Sequence, residues 1–401
     1  QLINAALSVV RTKAVAVVLG PEGSGLIGYW TSTKNLMSAV GSMGLGIAGV
    51  REIGGAQGEE QKTAQLNLRL YGAALAILTC VLTILFSPVL DELTGLEFMN
   101  AAAFAFLGFC ASLSILFSAF SVELRAMGDI RQVALVTIIT SIVATIITLL
   151  AAFTRPELLK YTALLLPALT PAILAAYFVV RRSGWLPTEL DRLSVLPYFI
   201  SFFRIGFPVM ATAIVGLATA LAIRSQVVFV GGLELLGLYV AIAMISERLF
   251  EVLTKTLTTE YYPRLTRTLM LKNNRETANL IETQVDLTSN TCVVLTAALG
   301  RFSTQILTFL FSDDFLSAML ALQVYIIADM FRIYGFPVGF VTMSAGRTGV
   351  SFFKETFIQL VFLAMIYVFV ETDPLVIAFC YLAMRALNYC LDAGLAFWRI
   401  G

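Results

Sequence analysis

The chain has no histidine. That removes the usual zinc ligand and the side chain whose ordinary pKa lies nearest neutrality, so any proton chemistry falls to carboxylates. Charge is scarce too. Asp, Glu, Lys and Arg make up 13% of the 401 residues, against about 25% in a typical soluble domain, and no soluble domain is visible. The five cysteines, Cys80, Cys110, Cys292, Cys380 and Cys390, lie in apolar runs without CxxC or Cys/His spacing. They are expected to be free thiols rather than disulfides or metal ligands. No nucleophile elbow, P-loop, dinucleotide fingerprint or HExxH pattern occurs, and Ser303 and the other hydroxyls have no histidine to activate them. These absences argue against an enzyme and exclude ATP-driven transport by this chain alone. The sequence begins inside an apolar run with no cleavage-site pattern after it, which reads as a trimmed start and not a signal peptide.

What the chain does have is apolar length. Hydrophobic residues make up 58% of it, and the mean hydropathy is +0.86. Crossing a bilayer takes about 20 apolar residues. Blocks of that size recur at 2–19, 25–49, 67–87, 99–121, 132–153, 160–180, 203–230, 235–261, 284–311, 315–344, 350–370 and 375–398. They are too long and too uniformly apolar for β-barrel strands. The expected fold class is an all-α polytopic membrane protein with about twelve transmembrane helices.

Loop charge sets the orientation. One set of connections carries Arg51, Lys62, Arg69, Arg125, Arg131, Arg181, Arg182, Arg192, Arg204, Arg264, Arg267, Lys272, Arg275, Arg347 and Lys354, with Arg399 at the end. The alternate set holds Arg155, Lys160 and several acids. The first set is expected in the cytoplasm with both termini. The longest polar stretch, Arg181–Arg204, reads as a linker with a short surface helix. The expected domains are residues 1–181, a linker at 182–202, and residues 203–401.

The halves resemble each other weakly. Gly20-Pro21-Glu22-Gly23-Ser24-Gly25-Leu26 aligns with Gly231-Gly232-Leu233-Glu234-Leu235-Leu236-Gly237-Leu238 when Gly25 is set against Gly237. Ala126-Met127-Gly128-Asp129 is similar to Ser344-Ala345-Gly346-Arg347. Transporters are often built from such repeats, with the site at their interface near the midplane.

Cations stand inside the apolar blocks: Arg11, Lys13, Lys34, Arg224, Arg248, Lys255 and Arg332. A cation at the bilayer centre costs about 2.5–3.5 kcal/mol on insertion scales. A water-filled cavity lowers that cost, and a cationic cavity suits a phosphate or pyrophosphate cargo. Arg offers a planar fork of donors to phosphate oxygens, while Lys acts as a point charge. Two other readings stay open. Cations near helix ends can snorkel to the interface, and some can pair internally. Glu247, Glu251 and Lys255 fall on one helix face, and Asp329 precedes Arg332 by three residues. Glu247, Glu251 and Asp329 are also the candidates for binding a coupling Na+ or H+. No other cofactor and no metal are expected.

Val10-Arg11-Thr12-Lys13-Ala14-Val15, the Gly20–Leu26 segment, Gly44-Leu45-Gly46-Ile47-Ala48-Gly49-Val50-Arg51 and Glu260-Tyr261-Tyr262-Pro263-Arg264-Leu265 together resemble the Wzx-type lipid-linked oligosaccharide flippases. These belong to the MOP (multidrug/oligosaccharidyl-lipid/polysaccharide) superfamily. The resemblance implies a MATE-like pair of pseudo-symmetric six-helix bundles opening alternately to each side of a bacterial inner membrane. It implies an undecaprenyl-pyrophosphate glycan as cargo, moved to the periplasmic leaflet for O-antigen, enterobacterial common antigen or capsule assembly. It further implies ion coupling, contact with membrane lipids and with polysaccharide polymerase machinery, a monomeric state and no nucleic-acid partner. Its cationic lumen corresponds to Arg11, Lys13, Lys34, Arg224 and Arg248 by position in the helices. The main rival is a drug/toxin extruder of the same superfamily. That branch has an acid in the first helix, where this chain has Arg11 and Lys13. A lipid II flippase has two further helices. A membrane glycan polymerase or ligase has a long outer loop that is missing here.

Overall fold

The computed structural model describes residues 2–55, 58–183, 195–256, 261, 264–265, 267–268, 274–344 and 348–400. Within them the chain is almost wholly helical. In order the helices are α1 (Leu2–Ser42), α2 (Leu45–Gly55), α3 (Glu59–Thr94), α4 (Ala101–Ala126), α5 (Ile130–Thr154), α6 (Leu159–Ser183), α7 (Val195–Thr256), α8 (Asn274–Arg301), α9 (Ser303–Leu310), α10 (Met319–Ser344), α11 (Thr348–Phe369) and α12 (Pro374–Ile400). Among the described residues, eight helices are long and apolar enough to cross a membrane, or nine if the bent pair α8–α9 is one span.

The outward faces are apolar. On α3, Ile77, Val81, Leu85 and Val89 recur every fourth residue and are all exposed. Phe153, Phe229 and Phe353 are more than 70% exposed. A patch of that size would aggregate in water but is the expected lining against lipid tails. The protein is a multi-pass membrane protein.

Two compact units account for the chain. The first comprises residues 1–18 and 26–221, the second residues 19–25 and 222–401. In the first, α4 packs against α2, α3, α5 and α6. In the second, α10 packs against α8, α11 and α12. These two hubs are the fourth and tenth apolar blocks of the sequence, so each half is organised around its own fourth span.

The two expected outer connections at 20–24 and 231–234 are tight, with helix on both sides and a break at a single residue each. Gly20 in α1 has φ 64°, ψ −166°, and Gly232 in α7 has φ 70°, ψ −170°. That region is essentially restricted to glycine. The alignment that pairs Gly25 with Gly237 also pairs Gly20 with Gly232, so the repeat seen in sequence is a repeat of backbone geometry. Pro21 follows the first break, where a helix start tolerates a missing N–H. Within the second unit the two segments meet backbone to backbone. A Cβ on Gly25 would overlap the Leu233 carbonyl, and one on Gly237 would overlap the Pro21 carbonyl.

Other boundaries differ from the sequence reading. The block expected at 25–49 is interrupted at Met43–Gly44, where both residues have positive φ. The block expected at 284–311 bends by 70° between α8 and α9. The bend exposes the Gly300 carbonyl, which Gln323 Nε2 of α10 reaches at 3.3 Å while also donating to Ser303 Oγ at 3.0 Å. The expected surface helix of the linker, apart from Val195 onward, and the Ser344–Arg347 repeat segment, apart from Ser344, lie outside the described residues.

Candidate functional site

The second unit holds a buried polar cluster built from three helical segments. Asp329 sits on α10, one turn after Tyr325. Tyr381 and Arg385 sit one turn apart on α12. Tyr239 and Ser246 sit two turns apart on the second arm of α7. Asp329 is 4% exposed, and its Oδ1 accepts a hydrogen bond from Tyr381 Oη at 3.0 Å. Its Oδ2 is buried with no hydrogen-bond partner among the described residues. Ser246, Arg332 and Arg385 are its other polar neighbours. The ring of Tyr381 stacks on Tyr325, centroids 4.0 Å apart and planes within 8°. The Arg385 guanidinium lies 4.8 Å from the Tyr381 centroid, in cation–π range. Tyr239 reaches Tyr325, and Arg224 and Glu247 both act electrostatically on Tyr239. Glu247 also acts on Arg332.

Four residues expected from sequence, Arg224, Glu247, Asp329 and Arg332, thus fall in one neighbourhood. Arg332 has further interactions besides Asp329, and Arg224 also has partners. Arg248 is exposed and partnered. The side chains of Glu251 and Lys255 lie outside the described residues. In the first unit, Arg11 and Lys13 are half-buried on the first arm of α1, each engaged with other groups. Lys34, on the second arm, is half-buried close to Cys110 of α4.

Sequence reading missed Arg385, Tyr239, Tyr325, Tyr381 and Ser246. A signal existed: Tyr325–Asp329–Arg332 and Tyr381–Arg385 repeat at helical spacing, which puts each set on one face. What it could not give is that the two faces meet.

Two cations read as loop residues are helix residues paired with acids. Arg69 lies in α3, where Nε donates to Glu123 Oε2 at 2.8 Å and a terminal nitrogen to Oε1 at 2.6 Å. Glu123 is wholly buried, so this bidentate pair is structural. Lys354 lies in α11 and donates to Asp392 Oδ1 of α12 at 2.6 Å, with Glu355 3.0 Å away. Both cations sit within one helical run of their boundary, and hydropathy alone cannot tell an end from a loop. Arg182 at the end of α6 pairs with Asp129 before α5. The cysteines Cys80, Cys110, Cys292, Cys380 and Cys390 are free. Among the described residues no group of three or more His, Cys, Asp or Glu could hold a metal ion.

The first unit has a cavity of about 290 Å³ where the α3–α4 and α5–α6 connections meet the second arm of α1. Its lining includes Trp30, Glu97, Phe98, Asn100, Lys160 and Tyr161.

The sequence profile of a family described as "Polysaccharide biosynthesis protein" matches residues 1–269. No curated protein sequence matches. Solved structures do. An inward-facing multidrug resistance MATE family transporter of the MOP superfamily is similar with a TM-score of 0.78, 12% identity, and coverage of 99% of this chain and 94% of that one. The lipid II flippase MurJ, in an inward closed conformation, is similar with a TM-score of 0.70, 16% identity, and coverage of 100% and 88%. A MOP superfamily transporter from Pyrococcus furiosus Vc1, whose binding pocket is described as of reverse polarity, gives a TM-score of 0.63 at 15% identity, covering 99% and 92%. At these identities the likeness establishes the fold alone: the chain shares the all-α architecture of these transporters.

Proposed function

The chain belongs to the polysaccharide biosynthesis protein family, and from that premise we propose that it is a flippase for undecaprenyl-pyrophosphate-linked oligosaccharide. It carries the lipid-linked glycan from the cytoplasmic to the periplasmic leaflet by alternating access. Both termini are cytoplasmic, as the excess of Lys and Arg in one set of connections indicates.

The observation that supports this reading is the cation content of the membrane helices. In the second unit, Arg224, Arg332 and Arg385 gather around two acids, Asp329 and Glu247. Arg11, Lys13 and Lys34 are held half-buried on α1. Each cation in hydrocarbon is costly, and a pyrophosphate passing through would offset that cost with charge-assisted hydrogen bonds. The first arm of α1, residues 2–19, carries Arg11 and Lys13 and no acid, which favours an anionic cargo over a cationic drug.

Ion coupling belongs to the same proposal. Asp329 is the acid best placed for it. Its Oδ2 is buried without a hydrogen-bond partner among the described residues, an expensive condition that a bound proton or Na+ would relieve. Carboxylate occupancy would then change the charge beside Arg332 and Arg385 and so their readiness to hold pyrophosphate.

The test is translocation of the lipid-linked glycan in proteoliposomes. Arg11→Ala, Arg224→Ala, Arg248→Ala and Arg332→Ala are each expected to slow it. If all four moved the glycan at the parent rate, the cationic path would be wrong. If the purified parent chain converted the glycan chemically instead of relocating it, the protein would be an enzyme.

A further inference from the structure

The cavity at the end of the first unit has a lining that the cationic path does not use. Trp30 of α1 and Tyr161 of α6 sit with ring centroids 5.7 Å apart and planes at 45°. Phe106 braces both, 6.1 Å from Trp30 and edge-on to Tyr161 at 5.4 Å. Phe98 extends the apolar wall and is itself held edge-on by Tyr29 at 5.4 Å. Between these rings the lining carries one carboxylate, one amide and one ammonium: Glu97, Asn100 and Lys160. Asn100 Oδ1 is committed to capping α4 through Ala103 N–H at 2.9 Å, which leaves its NH2 as a donor. Lys160 Nζ stands 5.2 Å from the Tyr161 centroid.

One atom points beyond simple packing. Trp30 is 3% exposed, and its indole N–H is buried with no hydrogen-bond partner among the described residues. A buried tryptophan N–H almost always finds an acceptor, and leaving it without one is costly. Trp30 is part of the lining of a cavity of about 290 Å³, near the lower end of small-ligand pockets. A ligand there supplies an acceptor once the ring turns its N–H toward it.

We infer that this cavity is a sugar-binding subsite that holds one hexose unit of a glycan at the outer end of the first unit. The chemistry fits that ligand class. A pyranose has an apolar face of C–H groups that lies on aromatic rings and an equatorial rim of hydroxyls that both donate and accept. The Trp30 N–H and the Lys160 ammonium donate to such hydroxyls, and the Glu97 carboxylate accepts from them. A fatty chain would leave Glu97 and Lys160 unmatched, and a phosphate would meet the Glu97 charge. The inference rests on the flippase reading for its biological meaning. There, the subsite would take a sugar as the glycan arrives on the far side.

The test uses the full chain in lipid nanodiscs with three probes: methyl β-glucoside, methyl N-acetyl-β-glucosaminide and methyl β-glucuronide. Binding is read by saturation-transfer NMR and by isothermal titration. At least one glycoside should bind. Trp30→Phe, which keeps a ring and removes only the N–H, should weaken it about tenfold, the effect of one lost hydrogen bond. Glu97→Gln and Tyr161→Ala, both at exposed side chains, should weaken it as well and keep the test open if Trp30→Phe fails to fold. No binding by the parent chain, or binding unchanged in every folded variant, would overturn the inference. A cavity filled only by ordered water gives the first of these results. Translocation in proteoliposomes separates the two readings. If the lipid-linked glycan moves while no glycoside binds, the subsite fails and the flippase stands. If glycosides bind and nothing moves, the subsite stands and the flippase reading fails.

Discussion

Gly20 and Gly232 break two different helices with one backbone conformation, φ 64°, ψ −166° and φ 70°, ψ −170°. Five residues beyond each, Gly25 and Gly237 allow the two helices to cross at backbone distance. The break and the crossing belong together. The glycine conformation turns each helix, and the absence of side chains lets the turned segments touch.

Gly20→Ala and Gly232→Ala should each cost about 1–3 kcal/mol, because that conformation is closed to residues with a Cβ. Thermal unfolding in detergent measures it. Gly237→Ala should be worse, since its Cβ would overlap the Pro21 carbonyl and no rotamer change relieves a backbone clash. A Gly237→Ala protein as well folded as the parent, by size-exclusion profile and melting temperature, would contradict the crossing.

Asp329→Asn should abolish the stimulation of translocation by a proton or sodium gradient. The fold should survive, because an amide can still accept from Tyr381 Oη at 3.0 Å. Tyr381→Phe removes that donor and leaves the carboxylate to Ser246, Arg332 and Arg385 among the described residues. It should destabilise by about 1–3 kcal/mol. Gradient-driven flux equal to the parent in Asp329→Asn would remove Asp329 from the coupling step.

Arg69→Met should be among the most destabilising single changes, at about 3–5 kcal/mol, because it strands the wholly buried Glu123. Arg69→Met combined with Glu123→Leu should recover most of the loss, since an apolar pair of similar volume often replaces a buried ion pair at little cost. Chemical denaturation of the single and double variants measures this. A double variant no more stable than Arg69→Met would show that the pair acts through something other than mutual charge compensation.

Gln323→Leu should loosen α9 without unfolding the second unit. It removes the amide that donates to the Gly300 carbonyl and Ser303 Oγ at the 70° bend. Hydrogen exchange should rise across residues 303–310, with a local cost of about 1–3 kcal/mol. Unchanged protection there would mean that the bend is held by other contacts.

Much of the architecture was legible in the sequence. Apolar blocks of bilayer length marked the spans, and the Gly25–Gly237 alignment found a repeat that the backbone reproduces at Gly20 and Gly232. Gly20 and Gly232 marked the breaks, as glycine and proline do. How tight each turn is was not legible, because it depends on the segment that packs against it. Arg69 and Lys354 were read as loop cations because hydropathy sees a charge at the end of a run. It does not see the carboxylate on another helix that draws that charge inward. Asp329 and Arg332 were legible as a local pair. Tyr381 and Arg385 were not, because their membership depends on α10 and α12 packing face to face.

The sequence by itself determined that the chain lives in a membrane, that it is built from helices, and that its halves repeat. Each of these follows from local quantities: apolar length, the need to satisfy every backbone group within a segment, and glycines placed at matching points. Tertiary structure decided which charges are matched. Arg69 meets Glu123 across 54 residues, Lys354 meets Asp392 across 38, and Tyr381 meets Asp329 across 52. Such pairings are set by which helices become neighbours and by their rotation about their axes. The same holds for the indole N–H of Trp30, whose lack of a partner among the described residues becomes visible only once three helices have closed around it.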